Sequence, residues 1–124
     1  MAKEAELLSG QYKAIKIVPA AAGVAGEVLT VNEQRGFLIE DITAAEVALS
    51  EERALIVEAE LVKGVKNPTE VWVAGEPIYF DAAAGDFTNV AGALDVIGFA
   101  SEAAAAADTH GIIKWEGSAE FLKT

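Results

Sequence analysis

His110 is the one imidazole in this chain of 124 residues, and cysteine is absent. A Ser-His-Asp or Cys-His nucleophile system needs a histidine base. His110 stands between Thr109 and Gly111, where it reads as a solvated loop histidine. Zinc sites draw about three or four ligands, chiefly thiolates and imidazoles, and this composition does not supply them. Carboxylates are plentiful. Asp81 and Asp86 flank a short turn, where they could approach as a glycosidase pair or as oxygen ligands for a hard cation. Turn aspartates more commonly bond their own backbone. Glu51-Glu52 and Glu58/Glu60 read as solvated face charges. Gly23-Val24-Ala25-Gly26 is glycine-rich, but no Lys-Ser/Thr follows it and no glycine-triplet fingerprint forms. The sequence assigns no catalytic residue, metal ligand or cofactor site. Trp72 and Trp115, the two largest side chains, read as core or subunit-interface positions before ligand platforms.

The elements that must hold these groups read as strands. From Val71 to Ala100 the chain alternates short apolar runs with dense Gly/Pro punctuation, a pattern of β structure. Ile78-Tyr79-Phe80-Asp81 leads through Ala82-Ala83-Ala84-Gly85 to Asp86 and Phe87-Thr88-Asn89-Val90, a hairpin with glycine available for a positive φ. Pro77 falls at the start of its strand, where a ladder can spare the donor. Val96–Ala100 is a further strand whose Gly98 marks a bend, bulge or close backbone approach. Earlier, Tyr12–Val18, Glu27–Val31 and Phe37–Ile42 read as strands joined closely enough for a meander. Thr43–Lys63 is ambiguous. Its Ala, Glu and Leu favour helix, but Leu55, Val57, Ala59 and Leu61 also repeat every second residue. Ala45–Ser50 is read as irregular or a short strand, Ala54–Lys63 as a strand and Gly64–Thr69 as a turn. Ser101–Gly111 is one helical turn or a loop, Ile112–Glu116 is the last strand, and Phe121 and Leu122 can pack from the tail.

Fold class follows as mainly β: a single compact barrel- or sandwich-like domain of short antiparallel strands over residues 12–124, with at most one short helix. Residues 1–11 are expected to be a flexible N-terminal arm, too short for a stable isolated helix. A hydrophobic share of 52% with 23% charged residues is globular. Nine basic against 20 acidic residues give a formal charge of −11, which disfavours phosphate backbones and anionic membranes and suits a basic protein partner. Without cysteine, a membrane-length apolar run or a signal pattern, the reading is of a soluble chain made in a reducing cytoplasm, binding neither nucleic acid nor membrane.

Gly75-Glu76-Pro77-Ile78-Tyr79-Phe80-Asp81, the Ala-Ala-Ala-Gly-Asp turn, Phe87-Thr88-Asn89 and Val96-Ile97-Gly98-Phe99-Ala100 together resemble the small phage capsid decoration (cement) proteins once grouped as a domain of unknown function. More distantly, they are similar to the head decoration protein of lambda-like phages. The resemblance spans roughly residues 19–117 and departs in the Glu- and Ala-rich Thr43–Lys63 stretch. It implies a non-enzymatic β-rich protein on the outer surface of the virion capsid, made in the host cytoplasm. It further implies binding to the major capsid protein as a homotrimer at three-fold or quasi-three-fold positions. Leu7, Leu8 and Tyr12 are the expected capsid contacts, with Leu7→Asp and Leu8→Asp weakening binding without unfolding, and Trp72 and Trp115 the expected subunit interface. Two other classes are kept open: a receptor- or glycan-binding head-fibre module, and a small hydrolase using Asp81 and Asp86.

Overall fold

A computed structural model describes residues 4–31, 34–92, 94 and 96–116. Among the described residues eight strands form one antiparallel sheet: β1 (Ala5–Ile17), β2 (Val28–Val31), β3 (Gln34–Leu38), β4 (Arg53–Val65), β5 (Pro77–Asp81), β6 (Asp86–Thr88), β7 (Val96–Ala100) and β8 (His110–Glu116). Their order is β2-β3-β4-β8-β7-β5-β6, with β1 also paired to β4. The sheet curls into a half barrel. At its far edge the curl brings β6 back to the end of β4, where the Asn67 N–H donates to the Phe87 carbonyl (2.8 Å).

The ambiguous Thr43–Lys63 segment divides cleanly. Helix α1 (Ala44–Ala48) replaces the irregular or stranded reading of Ala45–Ser50, because Thr43 and Glu46 form a reciprocal capping box. Glu46 also pairs with Arg53 (2.9 Å). The following strand is longer than expected and takes in Gly64 and Val65, assigned from sequence to a turn. Pairing with β1 on one side and β8 on the other carries β4 that far. The expected arm is built into the sheet from Ala5, opposite Gly64. Ala5 is buried, and the Glu4 and Ala5 N–H groups share the Gly26 carbonyl. Gly10, at φ +87°, accommodates one of the register shifts along β1. The stretch from Val71 is an extended segment holding a single bridge, Trp72 to Ala104, which also fixes the alanine-rich loop after β7.

The larger core gathers Trp72, Phe80, Phe87 and Trp115 with aliphatic side chains of β4, β5, β7 and β8. Phe87 packs edge-on to Trp115 and tilted against Phe80, geometries that favour aromatic pairs beyond their buried area. The smaller core holds Ile17, Leu38, Leu55 and Val57.

The chain holds two copies of one strand-and-turn unit, and the larger core draws on both, taking Phe37 and Val28 from the first. Val24-Ala25-Gly26-Glu27 recurs as Val73-Ala74-Gly75-Glu76, and Gly36-Phe37 as Gly98-Phe99. Gly26 and Gly75 both sit at φ +89°, a region open to glycine without strain. Gly26 N–H donates to Leu38 O (2.6 Å) and Gly75 N–H to Ala100 O (2.7 Å). Val24 N–H meets Glu27 Oε1 (3.2 Å), and Val73 N–H meets Glu76 Oε1 (2.9 Å). Gly23 exchanges backbone bonds with Ile42 as Trp72 does with Ala104. A Cβ at Gly36 would lie 2.4 Å from Ile56 O, and one at Gly98 1.9 Å from Lys114 O, so both strands need glycine to approach their neighbour. The units share β4, which ends one and begins the other.

Candidate functional site

The sequence-selected side chains occupy very different places. Asp81 and Asp86 do come together, directly opposite across the β5–β6 hairpin. Asp81 Oδ1 accepts the Ala83 and Ala84 N–H groups (3.1 and 3.2 Å), so this carboxylate is committed to its turn. Asp86 is buried, with Oδ2 accepting from Asn67 Nδ2 (3.3 Å). Burial pushes its carboxyl above the usual range, the charges of Asp81 and Glu70 push the same way, and the Asn67 bond opposes them. His110 is exposed at the start of β8, its Nδ1 2.9 Å from Thr109 Oγ1. Among the described residues no cluster of acidic, imidazole or thiol groups could hold a metal ion.

Trp72 and Trp115 are both completely buried. The Trp72 indole donates to Glu70 Oε1 (3.1 Å) and that of Trp115 to Arg35 O (2.9 Å). Gly111 lies directly under the Trp72 ring, where a Cβ would come within 2.2 Å of it. Apolar area and N–H donor are thus both satisfied inside the chain, and neither ring offers a face to a neighbour. This corrects their placement at a subunit surface.

Strand alternation separates Leu7 from Leu8 on β1, whereas Tyr12 lies in a stretch, residues 10–14, that is exposed throughout. Leu7 is half-buried against the larger core, whereas Leu8 and Tyr12 are exposed at 43% and 55%. Leu7→Asp would therefore insert a charge beside the core, contrary to the expectation that it leaves folding intact. Tyr12 borders a concavity of about 400 Å³ whose rim carries Lys13, Glu58, Glu60, Lys114 and Glu116. That surface suits a polar protein contact more than an apolar small molecule.

Two features escaped the sequence. Lys66 is 2% exposed, its ammonium donating to Asn67 O (3.1 Å) and Glu70 O (2.6 Å). Glu70 in turn accepts from Trp72, the Thr88 hydroxyl and the Asn89 N–H (2.9 Å). This knot locks the turn after β4 onto β6. The turn residues Asn67-Pro68 were visible, but nothing marked Lys66 as buried. The second feature is an apolar groove of about 360 Å³ between Ile17–Gly23 and β2. The small-residue loop that forms one wall was legible; the groove was not.

The described residues form a β scaffold with exposed polar and apolar surfaces. A sequence profile of the phage cement protein family matches residues 8–115, and the chain belongs to that family. The family is a structural one, associated with the phage capsid. No curated protein and no solved structure matches the chain. Among the described residues no helix is long and apolar enough to cross a membrane.

Proposed function

We propose that this protein binds the outer surface of an assembled phage head through the major capsid protein and stabilises the shell, acting as a homotrimer at three-fold or quasi-three-fold positions. The family match over residues 8–115 carries the reading. The formal charge of −11 supports a protein surface over packaged nucleic acid as the partner. Leu8 and Tyr12, the exposed pair on β1, supply apolar and aromatic contact area. Trimeric docking would raise the effective concentration of each contact, so individually weak contacts hold firmly.

The test is co-sedimentation of the purified protein with expanded, undecorated capsids, together with its mass in solution. Stoichiometric pelleting and a trimeric mass are expected. Leu8→Asp and Tyr12→Asp should weaken pelleting while leaving the melting temperature unchanged. Protein that stays in the supernatant with intact shells overturns the reading.

A further inference from the structure

The two copies of the repeated unit differ at one strand. In the second copy β6 lies along the outer edge of β5, bridged at Phe87 to Lys66. In the first copy β2 takes the place of β5, and Ile17 that of Lys66, yet no described strand lies beyond β2. The apolar groove is that vacant position. Its walls include Ile17, Val18, Ala21, Thr30 and Val31. Their counterparts Lys66, Asn67, Glu70, Tyr79 and Phe80 are the residues that hold β6 and Asn89.

We propose that this groove receives an extended segment of the shell protein, which adds to the edge of β2 beyond Val28, whose outward N–H is taken by Glu4 Oε1 (2.9 Å), as β6 adds to β5. The proposal rests on the cement reading. Strand addition supplies main-chain hydrogen bonds, and side-chain pockets supply selectivity. The pattern of β6 defines the occupant. Phe87 fills the interior and is fully buried, so the segment carries a bulky apolar residue at its centre. Val18 and Ala21 replace the Asn67 and Glu70 that bind Asp86 and Thr88, so the positions flanking that residue, which alternate to the other face, are apolar or small.

Two residues beyond Phe87, Asn89 Nδ2 donates to Glu76 Oε1 (3.1 Å). The counterpart of Glu76 is Glu27, 9% exposed and lining the groove, and among the described residues it accepts a hydrogen bond from the Val24 N–H. A donor side chain at that position of the segment, best a cationic one, completes the carboxylate. The same charge argument separates the candidates. A second copy of this chain also carries −11, whereas a neutral or basic shell segment is complementary.

Thr30→Pro tests the edge directly. The Leu38 N–H donates to Glu27 O, and the alternation of an antiparallel ladder then turns the Thr30 N–H away from β3, so proline removes the docking donor without breaking the hairpin. Ala21→Arg blocks the groove by a second route. Both variants should melt within a few degrees of the wild type and lose about tenfold or more in capsid affinity. In the full chain, the Thr30 amide should exchange rapidly with solvent when free and become protected on shells. Wild-type pelleting with undiminished pelleting of both variants overturns the groove proposal and leaves the cement reading intact. A wild type that ignores capsids overturns both. Thr30 protection in the free monomer would place this chain's own segment in the groove, and protection that grows with concentration would place a second copy there; either result overturns the proposal.

Discussion

The half of the sheet built from β5 to β8 is closed by aromatic side chains, whereas the half built from β1 to β3 ends in an open groove. The turns and glycines are nearly the same in both. Gly26/Glu27 and Gly75/Glu76 make matching backbone and carboxylate bonds, so local turn chemistry does not decide which half is finished. The difference lies in the hairpin after β5. It adds β6, buries Phe87 between Phe80 and Trp115, and is fastened by Lys66 and Glu70. Without such a hairpin the first half keeps Leu29 and Val31 only partly covered. One unit therefore serves two ends: stability where an internal strand completes it, and an accessible edge where none does.

The comparison can be broken most severely at Phe87. Phe87→Ala should cost about 3–5 kcal/mol, a large part of the stability of a small domain, read as a drop in the denaturant midpoint. A loss near that of a surface substitution would mean that β6 does not close the second half. Matched truncations sharpen the contrast. Ile78→Ala, at a fully buried site, should cost about 3 kcal/mol. Its counterpart Leu29→Ala should cost about 1 kcal/mol, because Leu29 is only half-buried. Equal losses would show that the first half is packed as tightly as the second.

The turns should instead behave alike. Gly26→Ala and Gly75→Ala each force a Cβ into the left-handed region at about 1–2 kcal/mol, and similar losses in chemical denaturation would support the repeated unit. Smallest is the effect at Asp86. Burial raises its folded-state pKa above the unfolded value. The native state is therefore favoured most below the unfolded pKa and loses that advantage as pH rises through the folded one. Asp86→Asn stays neutral, so its melting temperature should exceed that of the wild type by a few degrees near about pH 8, with the gap closing toward about pH 3. A gap that widens on acidification would reverse the assignment.

Much of this is legible in the sequence. Pro77, Gly85 and the apolar alternation marked the β5–β6 hairpin because each residue states a local backbone requirement. Gly98 announced a close approach, and the Lys114 carbonyl supplies it. What failed was the part set by distant partners. The first eleven residues look like an arm until β4 is seen to pair with them from Ala5 onward. Trp72 and Trp115 read as core or interface alike until Gly111 and the Arg35 carbonyl are found inside the fold to receive them, which selects the core. Helix α1 lies between these cases: Thr43 and Glu46 stand at capping-box spacing, a local signal outweighed by the surrounding strands.

The shared strand β4 also bears on how the molecule comes apart. Because the same thirteen residues, Arg53–Val65, close one unit and open the other, no cut along the chain leaves both units with all their strands. Local opening that reaches β4 from either side removes a neighbour from both cores at once. The molecule should thus melt as one cooperative body, and the well-packed aromatic half lends its resistance to the half that keeps its edge exposed.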